Sequence, residues 1–210
     1  MQPFTPEDRA AISAAISHAE ENTSGEIVVV AAVASDGYRS FGLLWAALLA
    51  LAAPVPFIFA TKWPVQYIYL IQLSVFLVLL VLFQLERLRY RLVPPAIKRA
   101  RAHQRAVEQF LVQNMHTTKG RTGVLIYVSF AEHFAEIIAD DGLYRKVPPS
   151  VWEDVVGELT DHLGRGTATG GFIRAIERCG EILAKHFPPG RVADNELPNH
   201  LIVLDGYGRP

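Results

Sequence analysis

The chain is 210 residues long, enough for one ordinary domain plus an accessory element. Hydrophobic residues make up 50% of it and mean hydropathy is +0.21, an excess concentrated between Phe41 and Leu85. A formal net charge of −1 gives no reason to expect nucleic acid as a partner, and the single cysteine, Cys179, excludes an intramolecular disulfide or a multi-cysteine metal site.

The opening Met1-Gln2-Pro3-Phe4 has no basic start and no apolar core, so it does not read as a secretory signal peptide. Thr5-Pro6-Glu7-Asp8 has the form of a helix start, with Thr5 as N-cap, proline at the first position and acids in the first turn. Ile12, Ala15, Ile16 and Ala19 then repeat with helical spacing, and the segment from Asn22 to Gly25 ends the helix. Glu26 to Ala34 is a near-continuous valine-rich run, which predicts a strand buried on both faces.

Phe41 to Ala60 and Tyr67 to Leu85 are uncharged, mostly apolar runs, each about long enough to cross a hydrocarbon layer of roughly 30 Å. The polar segment Thr61-Lys62-Trp63-Pro64-Val65-Gln66 joins them, with Trp63, Tyr67 and Tyr69 suited to an interfacial belt. Pro54 and Pro56 predict a kink or shortening of the first span. A buried helix pair inside a soluble core is the alternative, but a chain this size cannot easily enclose two helices that are apolar all round. An even number of spans leaves both flanks on one side. Arg39 before the pair, and Arg87, Arg89, Arg91, Lys98, Arg99 and Arg101 after it, outweigh Lys62 in the loop. The positive-inside rule then places the flanking domain and both termini in the cytoplasm. These basic residues also suit either a solvated helix face or anionic headgroups.

Glu86 to Asn114 predicts helix, broken near Pro94-Pro95, with Val107, Phe110 and Leu111 as its buried stripe. Lys119 to Gly123 predicts a turn, Val124 to Phe130 a second buried strand, and Glu132 to Ala139 a third strand in a hairpin with it. Asp140-Asp141-Gly142 ends that strand. Ser150-Val151-Trp152-Glu153 has capping-box spacing. Trp152, Val155, Val156, Leu159 and Leu163 form one helical stripe. After a glycine-rich break from Gly164 to Gly171, Phe172, Ala175, Ile176, Cys179, Ile182 and Leu183 form another, stopped at Phe187-Pro188-Pro189-Gly190. Leu201 to Leu204 is a candidate short strand or docking segment.

The order is helix, strand, apolar pair, helix, strand, strand, helix, helix. Strands joined through a helical crossover should be parallel, with a right-handed connection. The predicted architecture is an α/β sandwich of three to four strands covered by helices and interrupted by a two-helix transmembrane hairpin. Residues 1–36 and 86–190 form the two parts of the domain, 41–85 the hairpin and 191–210 a C-terminal tail.

This order resembles the TPM domain family. The residues carrying the resemblance are TPEDRAAISAAISHAEENTSGEIVVV, GVLIYVSFAEHFAEIIADDGL, VPPSVWEDVVGEL and GGFIRAIERCGEILAKHFP. More narrowly, ADDGL, VPPSVW and the closing HFP look like a bacterial branch with an inserted transmembrane pair, one without an established function. The resemblance implies a TPM-like fold. It also implies one of three roles seen in the family: acid phosphatase activity, calcium binding near the strand-end turn, or help in assembling or repairing membrane complexes. The phosphatase-like turn reads like GYGLEG after an acidic strand residue. Here Asp140-Asp141-Gly142-Leu143-Tyr144-Arg145 follows Ile137, Ile138 and Ala139, so one carboxylate position is apolar and Tyr144 stands where an acid would be expected.

Asp140 and Asp141 are the candidate metal ligands, since adjacent carboxylates at a strand end can ligate a hard cation such as calcium. Asp161, Glu153 or Asp154 are the further oxygens the fold could add to them. The competing reading is that both aspartates cap the turn before Gly142. The seven histidines show no zinc-type spacing and read as structural or exposed. Cys179 on an apolar stripe reads as core. Lys119 to Gly123 precedes a strand rather than following one, so it is not a phosphate-binding loop; Ser129 and Ser150 lack nucleophile-elbow context, and no nucleotide signature is present. Two functions follow. The first is a membrane-tethered interaction or assembly module whose partners are the lipid bilayer and another membrane or membrane-associated protein. The alternative is a weak divalent-metal-dependent phosphatase-like hydrolase at Asp140 and Asp141.

Overall fold

The computed structural model describes residues 4–118, 120–188, 197 and 199–204. The expectations that fall on Lys119, on Pro189-Gly190 and on most of the tail lie outside these. The chain divides into two compact units, residues 1–36 with 99–210, and residues 37–98.

In the first unit, α1 (Pro6–Glu20) starts as its sequence dictates. The Thr5 hydroxyl accepts from the Asp8 N–H at 3.1 Å, and the Asp8 carboxylate accepts from the Thr5 N–H at 2.9 Å, closing a capping box. Strand β1 (Glu26–Ala32) is flanked by β2 (Gly123–Ser129) and β4 (Leu201–Leu204), both parallel to it. The antiparallel β3 (Phe134–Ala139) closes the other side, giving the order β3-β2-β1-β4. The short run at Leu201 is therefore an added strand.

Alternation along β1 and β2 explains why both are continuously apolar. Ile27, Val29, Ala31, Val124, Ile126 and Val128 face a core shared with α1, α8 (Pro149–Gly164) and α9 (Ala168–His186). Val28, Val30, Leu125 and Tyr127 face the opposite core, under α6 (Pro95–Val112). Buried on both faces, neither strand has a polar side. The predicted stripes of α1, α8 and α9 are the ones that pack: Ile12 and Ile16, Trp152, Val155 and Leu159, then Phe172, Ile176, Cys179 and Leu183.

Three local expectations are corrected. The buried face of α6 is Ala102, Ala106, Gln109 and Phe110, whereas Val107 and Leu111 are exposed. Small alanines let the helix lie close to the sheet, and of the three expected apolar residues Phe110 alone falls on that face. Helix α8 has no capping box. Its N-cap is Pro148, followed by Pro149, whose fixed φ starts the helix one residue before Ser150. The glycine-rich break ends at Thr167, since Gly170 and Gly171 lie inside α9. A Cβ on Gly171 would meet the His162 Cβ at 2.7 Å, so this glycine serves close packing of α9 on α8.

The second unit contains α2 (Arg39–Ala52), α3 (Pro54–Ala60), α4 (Val65–Leu82) and α5 (Glu86–Leu92). The break at Ala53 falls where Pro54 removes a backbone donor. Helix α2 packs on α4 through Gly42, Ala46 and Ala50, its buried residues, spaced one turn apart. A Cβ on Gly42 would stand 3.2 Å from the Phe83 Cβ. Such small-residue seams let apolar helices approach closely without needing a hydrophobic drive between them. No residue of α4 is buried, and Phe59 of α3 is 87% exposed. Arg39–Ala60 and Val65–Leu82 are each long and apolar enough to cross a membrane.

Candidate functional site

Asp140 and Asp141 stand where β3 ends and the one-turn α7 (Asp141–Tyr144) begins. Asp140 is the N-cap: its Oδ1 accepts from the Asp141 N–H at 2.7 Å, and its side chain is 6% exposed. The Asp140 N–H in turn donates to the Gly123 carbonyl at 2.9 Å, tying the turn to the start of β2. The Arg121 guanidinium approaches both carboxylates, at 3.9 Å from Asp140 and 3.2 Å from Asp141. Arg121 has φ of 49°, the left-handed region, in the turn leading into β2. Gly142 lies so close to that turn that a Cβ would stand 2.5 Å from the Arg121 carbonyl oxygen. Only glycine fits there, which accounts for its following the two aspartates.

Among the described residues, no group of three or more His, Cys, Asp or Glu side chains is positioned to hold a metal ion. Asp161, Glu153 and Asp154 on α8 are therefore not gathered around Asp140. Calcium takes about six to eight oxygens. Here the Asp140 and Asp141 carboxylates face the Arg121 guanidinium.

The remaining candidates fall into structural settings. His103 pairs with Glu136 at 2.9 Å on an exposed face, and His162 bonds the Thr167 hydroxyl at 3.0 Å. Cys179 is fully buried, and burial pushes its thiol up to about 12, the opposite of an activated nucleophile.

A second polar cluster escapes sequence reasoning. It sits at the far ends of β1 and β2, where Glu132, Ser129, Ser35 and Tyr127 are all buried. The Glu132 carboxylate accepts from the Ser129 hydroxyl through a short bond and from the Ser35 N–H at 3.1 Å. The Ser35 hydroxyl donates to Ser129 Oγ at 2.9 Å and lies 2.9 Å from the Tyr127 hydroxyl. Burial, chiefly, raises the Tyr127 pKa, so the phenol stays neutral. The cluster fastens the segment leaving β1 to the β2–β3 hairpin. Its only sequence signal is a serine and a glutamate three residues apart at a strand end, which is indistinguishable from an ordinary polar turn.

The architecture defines a class: a mixed four-stranded α/β sandwich with helices on both faces and a carboxylate turn at the end of its edge strand. Residues 92–182 match the model of the TPM domain. The NMR structure of the BA42 protein from the psychrophilic bacterium Bizionia argentinensis is similar in fold. Its TM-score is 0.61 at 24% identity, over 95% of this chain and 94% of that chain. Comparison with curated proteins finds no match.

Proposed function

We propose that the chain is a membrane-anchored TPM-domain protein that acts as an interaction or assembly module at the cytoplasmic face of the membrane. The observation that carries the reading is α4, an apolar helix with not one buried residue. In water such a surface is unfavourable by roughly 25 cal/mol per Å², whereas in hydrocarbon the penalty vanishes. The small-residue seam from Gly42 to Ala50 and the exposed Trp63, Tyr67 and Tyr69 near the turn between α3 and α4 support the same reading. A binding role is supported by Val107, Leu111 and Val112, which stand exposed on α6.

Spanning is tested by alkaline carbonate, which should leave the protein in the pellet; release into the supernatant would remove the claim. Orientation is tested by cysteine labelling, for which the buried, unreactive Cys179 leaves a clean background. Lys62→Cys should react with an impermeant maleimide on intact cells, and Glu7→Cys only after lysis. The reverse pattern would invert the topology.

The alternative, a divalent-metal-dependent hydrolase, has one observation in its favour. Oδ2 of Asp140 is buried with no hydrogen-bond partner among the described residues. Against it stands Arg121, which already balances both carboxylates. A saturable rise in melting temperature with calcium or magnesium, lost on replacing both aspartates by asparagine, would favour the hydrolase. No shift at millimolar ion is the expected result.

A further inference from the structure

We propose that the outward face of α4, centred on Ser74, docks a second copy of this chain within the membrane. The inference rests on the membrane-spanning reading and adds a partner to it. Helix α4 packs on α2, and its residues divide by exposure. Ile68, Gln72, Phe76 and Leu79 are half-buried, whereas Leu70, Ser74, Leu77 and Val81 are exposed. The exposed set is spaced 4, 3 and 4 residues apart. That spacing keeps one seam of a helix against a partner crossing it at about 20°.

Two features separate this face from an ordinary lipid-facing surface. The first is its shape, a groove rather than a convex ridge. Trp63, Tyr67, Leu70, Ile71, Ser74 and Val75 line about 530 Å³ of open space within the second unit, enough for several side chains of an entering helix. Trp63 is fixed at the mouth of the groove by stacking on the Phe57 ring at 5.7 Å. The second feature is Ser74 itself, at the midpoint of α4. Within its own helix a serine hydroxyl can donate only to a carbonyl about one turn back, and its acceptor lone pairs then still need an outside donor. Acyl chains carry no donor, and the hydrocarbon core holds no water. A second copy supplies one. Both copies insert with the same topology, so their α4 helices run parallel and their Ser74 hydroxyls lie at the same depth. About a two-fold axis the two hydroxyls meet, one donating to the other. The small serine side chain lets the helices approach closely at that point. An unrelated helix would bring a hydroxyl to this depth only by coincidence.

The test uses the purified full chain reconstituted in phosphatidylcholine vesicles, where no other protein can occupy the groove. Single cysteines are introduced at Ser74 or Leu73 and oxidised with copper phenanthroline; the buried Cys179 gives a low background. Leu73 is also exposed but lies off the groove. Neighbouring helix positions point to different faces, so Ser74→Cys should form a disulfide-linked dimer at least about fivefold faster than Leu73→Cys. Energy transfer between copies labelled at the N-terminus reads association without cysteines. Ser74→Leu, which fills the seam, should weaken association about tenfold, and Ser74→Ala, which removes only the hydroxyl, about threefold. Equal disulfide rates at the two positions, or association unchanged by Ser74→Leu, would overturn the docking face. A monomer at every lipid-to-protein ratio would also overturn it, leaving acyl chains in the groove. Carbonate extraction of the same vesicles separates the two levels: a monomer that resists carbonate refutes the docking face alone, whereas a protein that washes out refutes the spanning reading and the docking face with it.

Discussion

Glu20 should make the domain lose stability as pH rises through neutrality. It is the last residue of α1, and its Oε1 accepts from the Ile27 N–H at 2.8 Å, joining the helix to the start of β1. Burial, chiefly, pushes its carboxyl up from 4.5 to about 8, with Glu26 adding repulsion and the Ile27 N–H opposing. The sign follows from proton counting. Between pH 4.5 and about 8 the unfolded chain gives up this proton while the folded chain keeps it, so the folded state is progressively disfavoured. Below that window both states are protonated and nothing is lost; above it the loss is complete. The gap between 4.5 and about 8 corresponds to at most about 5 kcal/mol at ~1.4 kcal/mol per pH unit. Solvent on the open side of this half-buried group reduces the effect to about 2 kcal/mol. Glu20→Gln keeps an oxygen for the Ile27 N–H and removes the titration. Urea unfolding of the full chain in detergent, followed by Trp152 emission with Trp45 and Trp63 replaced by phenylalanine, would read it out. Variant and wild type should coincide near pH 4.5 and separate by about 1 M in midpoint at pH 8, for a slope of about 2 kcal/mol/M. Parallel curves across this range would refute the argument.

Three other substitutions test the packing directly. Gly142→Ala places a methyl group 2.5 Å from the Arg121 carbonyl and should destabilise the domain by about 1–3 kcal/mol, read by the same unfolding assay. Phe172→Ala empties a fully buried site that meets the Phe4 ring edge-on at 5.6 Å, and should lower stability by about 3–5 kcal/mol. Glu132→Ala leaves the Ser35 N–H and Ser129 hydroxyl without their acceptor, at a cost of about 3 kcal/mol, whereas Glu132→Gln retains one acceptor oxygen and should cost less; hydrogen exchange at Ser35 would report the difference.

The parts of the fold legible in the sequence were those with strong periodicity. Valine runs gave both central strands because sheets buried on two faces leave no polar register to misread. The α8 and α9 stripes were visible because their large apolar residues recur with helical spacing. Helix α6 was misread for the converse reason: its contact face is Ala102 and Ala106, and small residues that permit close approach carry little hydrophobic signal. The Ser150 capping pattern failed because two prolines fixed the backbone first. At the candidate site, the position of Asp140 and Asp141 at a strand end was legible. The approach of Arg121 was not, since it depends on a left-handed residue about twenty positions earlier. The Ser35–Ser129–Glu132 cluster joins residues up to 97 apart, a separation no local pattern reports.

That buried cluster bears on how a domain accommodates an insertion of membrane length between two of its central strands. Closing a long loop is entropically cheap, growing only with the logarithm of its length, but it requires that the loop ends be held by the domain itself. Both ends are so held in the first unit. Ser35, just after β1, is fastened by Glu132, and Asp36 pairs with Arg101 of α6 at 3.4 Å. The ion pair is exposed and contributes little stability by itself. The buried Glu132 bonds are the stronger tie, and they act on β1 and the β2–β3 hairpin rather than on the inserted helices. Both ties lie within the first unit, and the Glu132 bonds join the end of β1 to the strand it pairs with in parallel. Shortening those residues to a brief linker should therefore leave the register intact, whereas removing Glu132 should weaken it even with the apolar helices in place.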